Sequence, residues 1–285
     1  MQVKDSINRS ADPPLVSVVV PTYNQGHYLP MALDSVMFQD YDNIEIIICN
    51  HGSTDDTAEV IQKFLDSVRS DQVSFLARYD EKKNSSPFIR KYGPRYPQNR
   101  KITVLQGSEN IGGTASYNEG FRRASGKYCT YLVADDYFFP SAIREMVACL
   151  EQHDCDFVYA DMFLVDDQGR ILQHLQKPDY SFQACLADWY HLGVCKLYRT
   201  SLHHKVGFYD PAYRNANDYD MYLRFAMHGA RFFHLAKTLY CVRAHDPNDP
   251  NEPASWRDNG YENLLKESIR CAQRARKFLA QEGNE

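Results

Sequence analysis

No CxxC pair occurs among the eight cysteines, no HExxH among the ten histidines, and no GxSxG turn anywhere in the 285 residues. Structural zinc, zinc-protease and serine-hydrolase readings therefore lack the spacing that their chemistry requires. No apolar run approaches the ~18 residues needed to cross a bilayer. The opening MQVKDSINRSADPP is polar, without the apolar core of a signal peptide. Together these absences lead us to expect a cytoplasmic protein, with peripheral contact at the inner face of the membrane left open. Cys49, Cys129 and Cys241 sit inside strand-like apolar runs, as core thiols do in a reducing compartment. An excess of basic charge is also missing: 32 Lys and Arg stand against 37 Asp and Glu, a formal charge of -5, which excludes general nucleic-acid binding from the expected functions. Two phosphate-binding look-alikes fail on spacing. GFRRASGK (120–127) has one residue too many between Gly120 and Gly126 and carries Tyr128 where Ser or Thr would bind magnesium, while Gly107, Gly112 and Gly113 do not make GxGxxG.

What is present is an alternation of strand and helix patterns on a 44% hydrophobic background. LVSVVV (15–20), IEIIIC (44–49) and KITVLQ (101–106) read as strands, with helices over 27–38, after Ser53 or Thr54, and over 114–124. YCTYLVADDYFFP (128–140) reads as a further strand that stops on two adjacent carboxylates, Asp135 and Asp136, before a helix over 141–152. The pattern predicts an α/β fold with a mainly parallel sheet and helices on both faces, Rossmann-like in its first half. The second half is mixed: FVYADMFLVDDQGRILQHL reads as a hairpin turning at Asp166-Asp167-Gln168-Gly169, followed by a strand around 194–198 and a helix over 218–228. Short strands at 231–235 and 238–243 and a long helix over 261–281 complete it.

These readings divide the chain into a polar tail (1–14), a main domain (15–250) and a C-terminal helical extension (251–285). Within the main domain, 15–140, Rossmann-like and ending on the paired carboxylates, is expected to be the nucleotide-binding half, and 141–250 would supply the acceptor side of a two-part site. A basic insertion at 70–101 breaks the alternation with roughly thirty residues of expected loop. From Arg78 to Lys101 it carries eight Lys and Arg against Asp80 and Glu81, with Tyr79, Phe88, Tyr92 and Tyr96 interleaved. That composition suits an anionic acceptor or an anionic membrane face, and it equally suits a solvated loop.

Five segments recur in an informative order: PTYN after the first strand, GSTDDT (52–57) after the second, NIGGTASYNEGFRRASGKY (110–128) leading into the Asp pair, NDYDMYLRF (217–225) and VRAH (242–245). Over residues 15 to 250 this resembles the family 2 glycosyltransferases of the GT-A fold, which transfer a sugar from a nucleotide diphosphate with inversion. The resemblance implies a nucleotide-sugar site formed by Pro21, Thr22, Tyr23, Asn24, Asn50, Ser53, Asn110, Tyr117 and Asp135. It further implies a divalent cation, Mn2+ or Mg2+, held by Asp136 and His245, and Asp218 as the base that deprotonates the acceptor. Chemistry agrees, because a departing diphosphate gathers negative charge that a cation offsets, and direct displacement needs one base. By itself Asp218 could equally be a helix cap, and Asp220 with Arg224 reads as a helix-surface ion pair.

The departures from the family pattern are Asn50 and His51 where two Asp are common, Tyr117 where relatives carry Arg, and Asn217 in place of Glu before the base. An Asp facing a ring N–H only accepts, whereas Asn both accepts and donates, so looser base selection is expected. A UDP-sugar ranks first, with dTDP or GDP donors credible, and the acceptor would be a glycan or a lipid-linked glycan of cell-surface polysaccharide or glycoconjugate synthesis. Two rival readings remain: a nucleotidyltransferase, which would want a basic Gly-rich loop after the first strand that PTYNQGHYL does not provide, and a nucleotide-sugar-binding protein that has lost turnover.

Overall fold

In the computed structural model, which describes residues 12–77, 89–244 and 260–282, the first apolar run forms β1 (Val16–Thr22), buried along its whole length. The same holds for β2 (Ile44–His51), as expected of parallel strands covered on both faces. β1 lies between β2 and β6 (Tyr128–Tyr131), and β2 pairs outward with β5 (Lys101–Gly107), all in parallel. Alternate side chains point to opposite layers. Val16, Val18 and Val20 pack with α1 (Leu29–Met37), α2 (Thr57–Ser70) and α4 (Ala142–Gln152), whereas Val19 and Ile47 pack with α3 (Gly113–Arg123).

Beyond β6 the chain extends the same sheet. The further elements are β7 (Tyr137–Phe138), β8 (Phe157–Val165), β9 (Ile171–Leu175), α5 (Phe182–Cys185), β10 (Lys196–Arg199), α6 (Ser201–Val206), α7 (Asn217–Met227), β11 (Phe232–Arg243) and α8 (Gly260–Glu282). The nine-stranded order is β5-β2-β1-β6-β10-β8-β11-β7, with β9 paired to β8. β10 runs antiparallel to both β6 and β8, and β11 runs parallel to β8. The mainly parallel sheet with helices on both faces is thus the observed architecture.

Three local expectations are corrected. The strand read through to Asp135 and Asp136 stops at Tyr131, and the two carboxylates lie in a turn closed by the Asp136 N–H donating to the Val133 carbonyl at 3.1 Å. The two short strands expected at 231–235 and 238–243 are one strand, β11, whose register shifts between Leu235 and Thr238. The insertion read as a loop is in part a hairpin, β3 (Gln72–Ala77) with β4 (Ile89–Pro94), while residues 78–88 lie outside the described residues. Several of its cations and aromatics serve the body of the protein: Arg95 donates to Asp34 at 2.9 Å, the Tyr96 hydroxyl donates to the same carboxylate at 2.7 Å, and Arg100 donates to the Gln39 carbonyl at 2.7 Å. On β4, Lys91 and Tyr92 remain exposed.

The start of the sheet is tied by one buried carboxylate. Glu45 accepts from the Ser17 hydroxyl at 2.6 Å and from the Ser125 N–H and hydroxyl at 2.6 and 2.8 Å, joining β1, β2 and the entry to β6. Burial alone would raise this carboxyl, but the hydrogen bonds from Ser17 and Ser125 outweigh it and hold the group below its ordinary value of 4.5. A depressed carboxyl stabilises the fold above its unfolded value, and that contribution is lost as pH falls through the lower folded value. Glu45→Gln should therefore cost about 1–3 kcal/mol near neutrality, with the gap to the parent closing under acid, as urea midpoints measured from pH 7 to pH 3 will test.

Candidate active site

At the carboxyl edge of β1 the chain leaves the sheet through Pro21 and Thr22, both buried, to exposed Tyr23 and Asn24. Asn24 takes the left-handed conformation at φ +52°, which short polar side chains tolerate, and this turns its amide toward the loop after β2. Its N–H donates to the Ser53 hydroxyl at 3.0 Å, and its Oδ1 accepts from the Thr54 N–H at 2.7 Å. The PTYN and GSTD segments are thereby knotted into one wall, and Ser53 serves to hold it. Thr22 and Asn50 face each other across the β1–β2 pair, and Thr22 Oγ1 and Asn50 Oδ1 are both buried with no hydrogen-bond partner among the described residues. His51 turns to α3, where its ring meets the Ser116 hydroxyl at 3.1 Å and Glu119 at 3.0 Å. Asn110 is exposed after β5, and its Oδ1 accepts from the Gly112 N–H at 2.8 Å at the mouth of α3.

The acidic turn is held from β11. Asp136 accepts from the Tyr240 hydroxyl and from the Arg243 N–H, each at 2.9 Å, and the Arg243 guanidinium donates to the Asp135 carbonyl at 3.0 Å and the Asp166 carbonyl at 3.1 Å. Arg243 is itself buried. The VRAH segment thus acts here through its arginine, whereas His245, the expected second metal ligand, lies outside the described residues. Among the described residues no group of three His, Cys, Asp or Glu gathers into a ready-made metal cage. Two adjacent hard-oxygen donors nevertheless fit Mg2+ or Mn2+ bound together with a diphosphate, because such ions commonly take one or two carboxylates and fill the remaining positions with phosphate oxygens and water.

Across the cleft, Asp218 is the second residue of α7 and is not its cap, a position held by Ala216. Its Oδ1 accepts from the Tyr219 N–H at 2.7 Å, and its Oδ2 accepts from the Tyr131 hydroxyl at 3.0 Å. Lys196, fully buried on β10, lies 3.6 Å from Oδ2, a neighbour that sequence reasoning missed because KLYR reads as an ordinary edge of a strand. Asn217 bridges α7 to α3, its amide donating to Thr114 Oγ1 at 2.9 Å while its Oδ1 accepts from the Asp218 N–H at 2.7 Å.

Helix α8 fixes the start of α7. The Glu267 carboxylate accepts three successive backbone N–H groups, from Arg214, Asn215 and Ala216, at 3.0, 2.8 and 2.9 Å. Asp220, expected on the surface with Arg224, is instead fully buried; Arg224 bonds it at 2.8 Å and Arg274 of α8 reaches its other oxygen. The expected surface pair is a buried lock between helices.

Tyr117 lies near both acidic groups. Its ring packs edge-on against Tyr131 at 5.1 Å and tilted against Tyr209 at 5.3 Å. Burial, followed by the charges of Asp218, Asp135 and Asp136, pushes its phenol well above the ordinary value. Tyr190 is likewise raised by burial and by Asp136 and Asp218, so two phenols from opposite sides feel both acidic groups. The cleft thus combines a polar wall at the ends of β1 and β2, an acidic turn, and a partly exposed carboxylate over an aromatic floor.

The sequence pattern of the family described as Glycosyl transferase family 2 matches residues 17–82 and 79–214. An uncharacterized glycosyltransferase of Rickettsia prowazekii is 27% identical over 222 residues, 74% of this chain and 58% of that protein. The hyaluronan synthase of Pasteurella multocida is 28% identical over 259 residues, 87% of this chain and 22% of the synthase. This chain therefore spans little more than half of the first relative and about a fifth of the second. Among solved structures, S. aureus TarS 1–349 in complex with UDP-GlcNAc superposes with a TM-score of 0.63 at 19% identity, over 90% of this chain and 66% of that one. The mannosyltransferase PcManGT from Pyrobaculum calidifontis, in complex with GDP-Man and Mn2+, gives 0.57 at 16% identity, over 93% and 76%. At these identities the structural likeness speaks for the fold alone.

Glu267→Ala would leave three backbone donors at the head of α7, one of them buried and two part-buried, without their acceptor. We expect a loss of about 2–3 kcal/mol, with Glu267→Gln losing less because it keeps an amide oxygen there, as read from denaturant midpoints of the full chain.

Proposed function

The chain belongs to glycosyl transferase family 2, and we propose that it transfers a sugar from a nucleotide-diphosphate donor to an acceptor hydroxyl with inversion at the anomeric carbon. Its fold is GT-A, and it is a glycosyltransferase. The observation that carries the mechanistic reading is that Asp218 and the Asp135–Asp136 turn, brought by separate elements, lie near the same two phenols, Tyr117 and Tyr190.

In this reading the donor base lies against Thr22, Tyr23 and Asn50; the Thr22 and Asn50 oxygens, without a partner among the described residues, are suited to ring N–H groups, and Tyr23, 43% exposed, offers a face for stacking. Asp135 would bind donor hydroxyls, and Asp136 would hold a divalent cation, Mn2+ or Mg2+, with His245 as the second candidate ligand. That cation supplies positive charge opposite the leaving diphosphate. Asp218 takes the proton from the acceptor hydroxyl as its oxygen forms a bond to the anomeric carbon. On the opposite face the bond to the diphosphate oxygen breaks, and its electron pair leaves with the diphosphate. Tyr219 N–H and Tyr131 hold the two carboxylate oxygens so that the base is aimed before the acceptor arrives.

A UDP-sugar is the first choice of donor. The UDP-GlcNAc held by TarS supports it, and the GDP-Man held by PcManGT keeps GDP donors in view, with dTDP donors beside them because Asn50 both accepts and donates. The acceptor is a glycan or a lipid-linked glycan, in keeping with the polysaccharide synthase among the relatives. We place the reaction at the cytoplasmic side of the membrane; among the described residues no helix is long and apolar enough to cross it. Exposed Lys91 and Tyr92 support peripheral contact through the 78–101 segment.

A donor panel, followed by nucleoside diphosphate release with Mn2+, with Mg2+ and with chelator, tests the reaction. Asp218→Asn retains shape and the Tyr131 contact but not basicity, so turnover should fall ~10² or more with donor affinity unchanged; full activity would move the base elsewhere. Asp136→Ala should remove the cation-dependent part of nucleotide affinity in calorimetry, and a parent protein that binds equally with and without the cation would refute the metal assignment.

A further inference from the structure

Lys196 has no reason of packing to be where it is. It occupies β10 between β6 and β8 with no solvent exposure, a position that a leucine would fill without burying charge. An ammonium has three donors and no acceptor. One proton goes to the Tyr131 oxygen at 2.8 Å and another to the Tyr222 oxygen, and the nitrogen lies over both rings at 4.7 and 4.3 Å from their centroids. Both phenol oxygens are therefore engaged as acceptors from Lys196. The Tyr131 proton then goes to Asp218 Oδ2 at 3.0 Å, so the chain has one polarity, from ammonium through phenol to carboxylate.

We propose that Lys196 is a positioning residue for the transfer reaction: as a buried ammonium it orients the Tyr131 hydroxyl toward Asp218, keeping that carboxylate aimed at the acceptor. The proposal rests on Asp218 being the base. Lys196 exchanges no proton with substrate; the acceptor proton still ends on Asp218. The groups facing the ammonium are Tyr131 from β6, Tyr159 opposite it on β8, Asp218 and Tyr222 from α7, Lys177 from the segment after β9, and Cys195 on its own strand. Burial lowers the ammonium to about 8, with the Asp218 charge opposing the fall. Above that pH a neutral amine can accept, the Tyr131 proton can turn to it, and Asp218 loses its orienting bond.

Two measurements on the full chain test this. In protein labelled at lysine Cε, one resonance should titrate near 8 and move lower in Asp218→Asn, which removes the anion that favours the ammonium. A Lys196 resonance indifferent to Asp218→Asn, or one already neutral at pH 7, would overturn the proposal. The second measurement is turnover against pH, read as nucleoside diphosphate release from UDP-GlcNAc or GDP-mannose with Mn2+. The parent should lose kcat above pH about 8, Lys196→Arg should carry that limb to higher pH, and Tyr131→Phe should lower kcat by ~10-fold or more with donor KM unchanged. If Lys196→Arg does not fold, Tyr131→Phe carries the kinetic arm, and an unchanged kcat in it sinks the proposal. Absence of turnover on either donor in the parent counts against the transferase reading, and the titration alone then decides the Lys196 pairing.

Discussion

The seam between β6 and β10 is where a parallel sheet becomes a mixed one, and the cleft depends on it. Only Cys129 with Tyr198 and Tyr128 with Arg199 pair there, antiparallel, after which the Thr130 hydroxyl donates to the Lys196 carbonyl at 2.6 Å and extends the joint by one side-chain rung. That short joint sets Tyr131 beside Lys196. It also fixes where α7 can lie, because Tyr131, Tyr222 and Lys196 meet around Asp218. A slip by one residue would send every side chain of β10 to the other face and leave the ammonium without phenol partners.

Asp136 and Asp218 are each held by one phenol and one backbone N–H. Asp136 is held by a phenol and a backbone N–H from β11, Asp218 by a phenol that a buried lysine orients, and the loop before α7 by three N–H groups on Glu267. Such fully satisfied polar networks are costly to bury and rigid once made. The rigidity is useful, because a base or a phosphate-facing carboxylate displaced by about an ångström loses much of its effect on rate. Helix α8, outside the stretch matched by the family pattern, is part of this support through Glu267 and Arg274.

The departures from the family pattern acquire distinct meanings. His51 is engaged with α3 through Ser116 and Glu119, so it acts as a brace between strand and helix. Asn50 keeps an unpartnered oxygen at the end of β2. Tyr117 replaces a cation with an aromatic surface shared with Tyr131, Phe121 and Tyr209, which leaves the floor of the cleft apolar between its acidic sides.

The sequence by itself determined the parallel core, because continuous β-branched runs separated by amphipathic helices admit few other arrangements. It also marked PTYN, GSTD, the Asp pair and Asp218 as one constellation, since their order along the chain is local information. It misjudged what depends on contacts between distant elements. Asp220 and Arg224 read as exposed because their spacing carries no sign of α8 packing over them, and the insertion read as loop because β3 and β4 pair only with each other across a long intervening segment. Lys196 was invisible for the same reason: a lysine in KLYR looks like any strand-edge cation until β6 and α7 enclose it. Whether a charge faces water or a carboxylate is a property of what folds over it, and only the tertiary structure decides that.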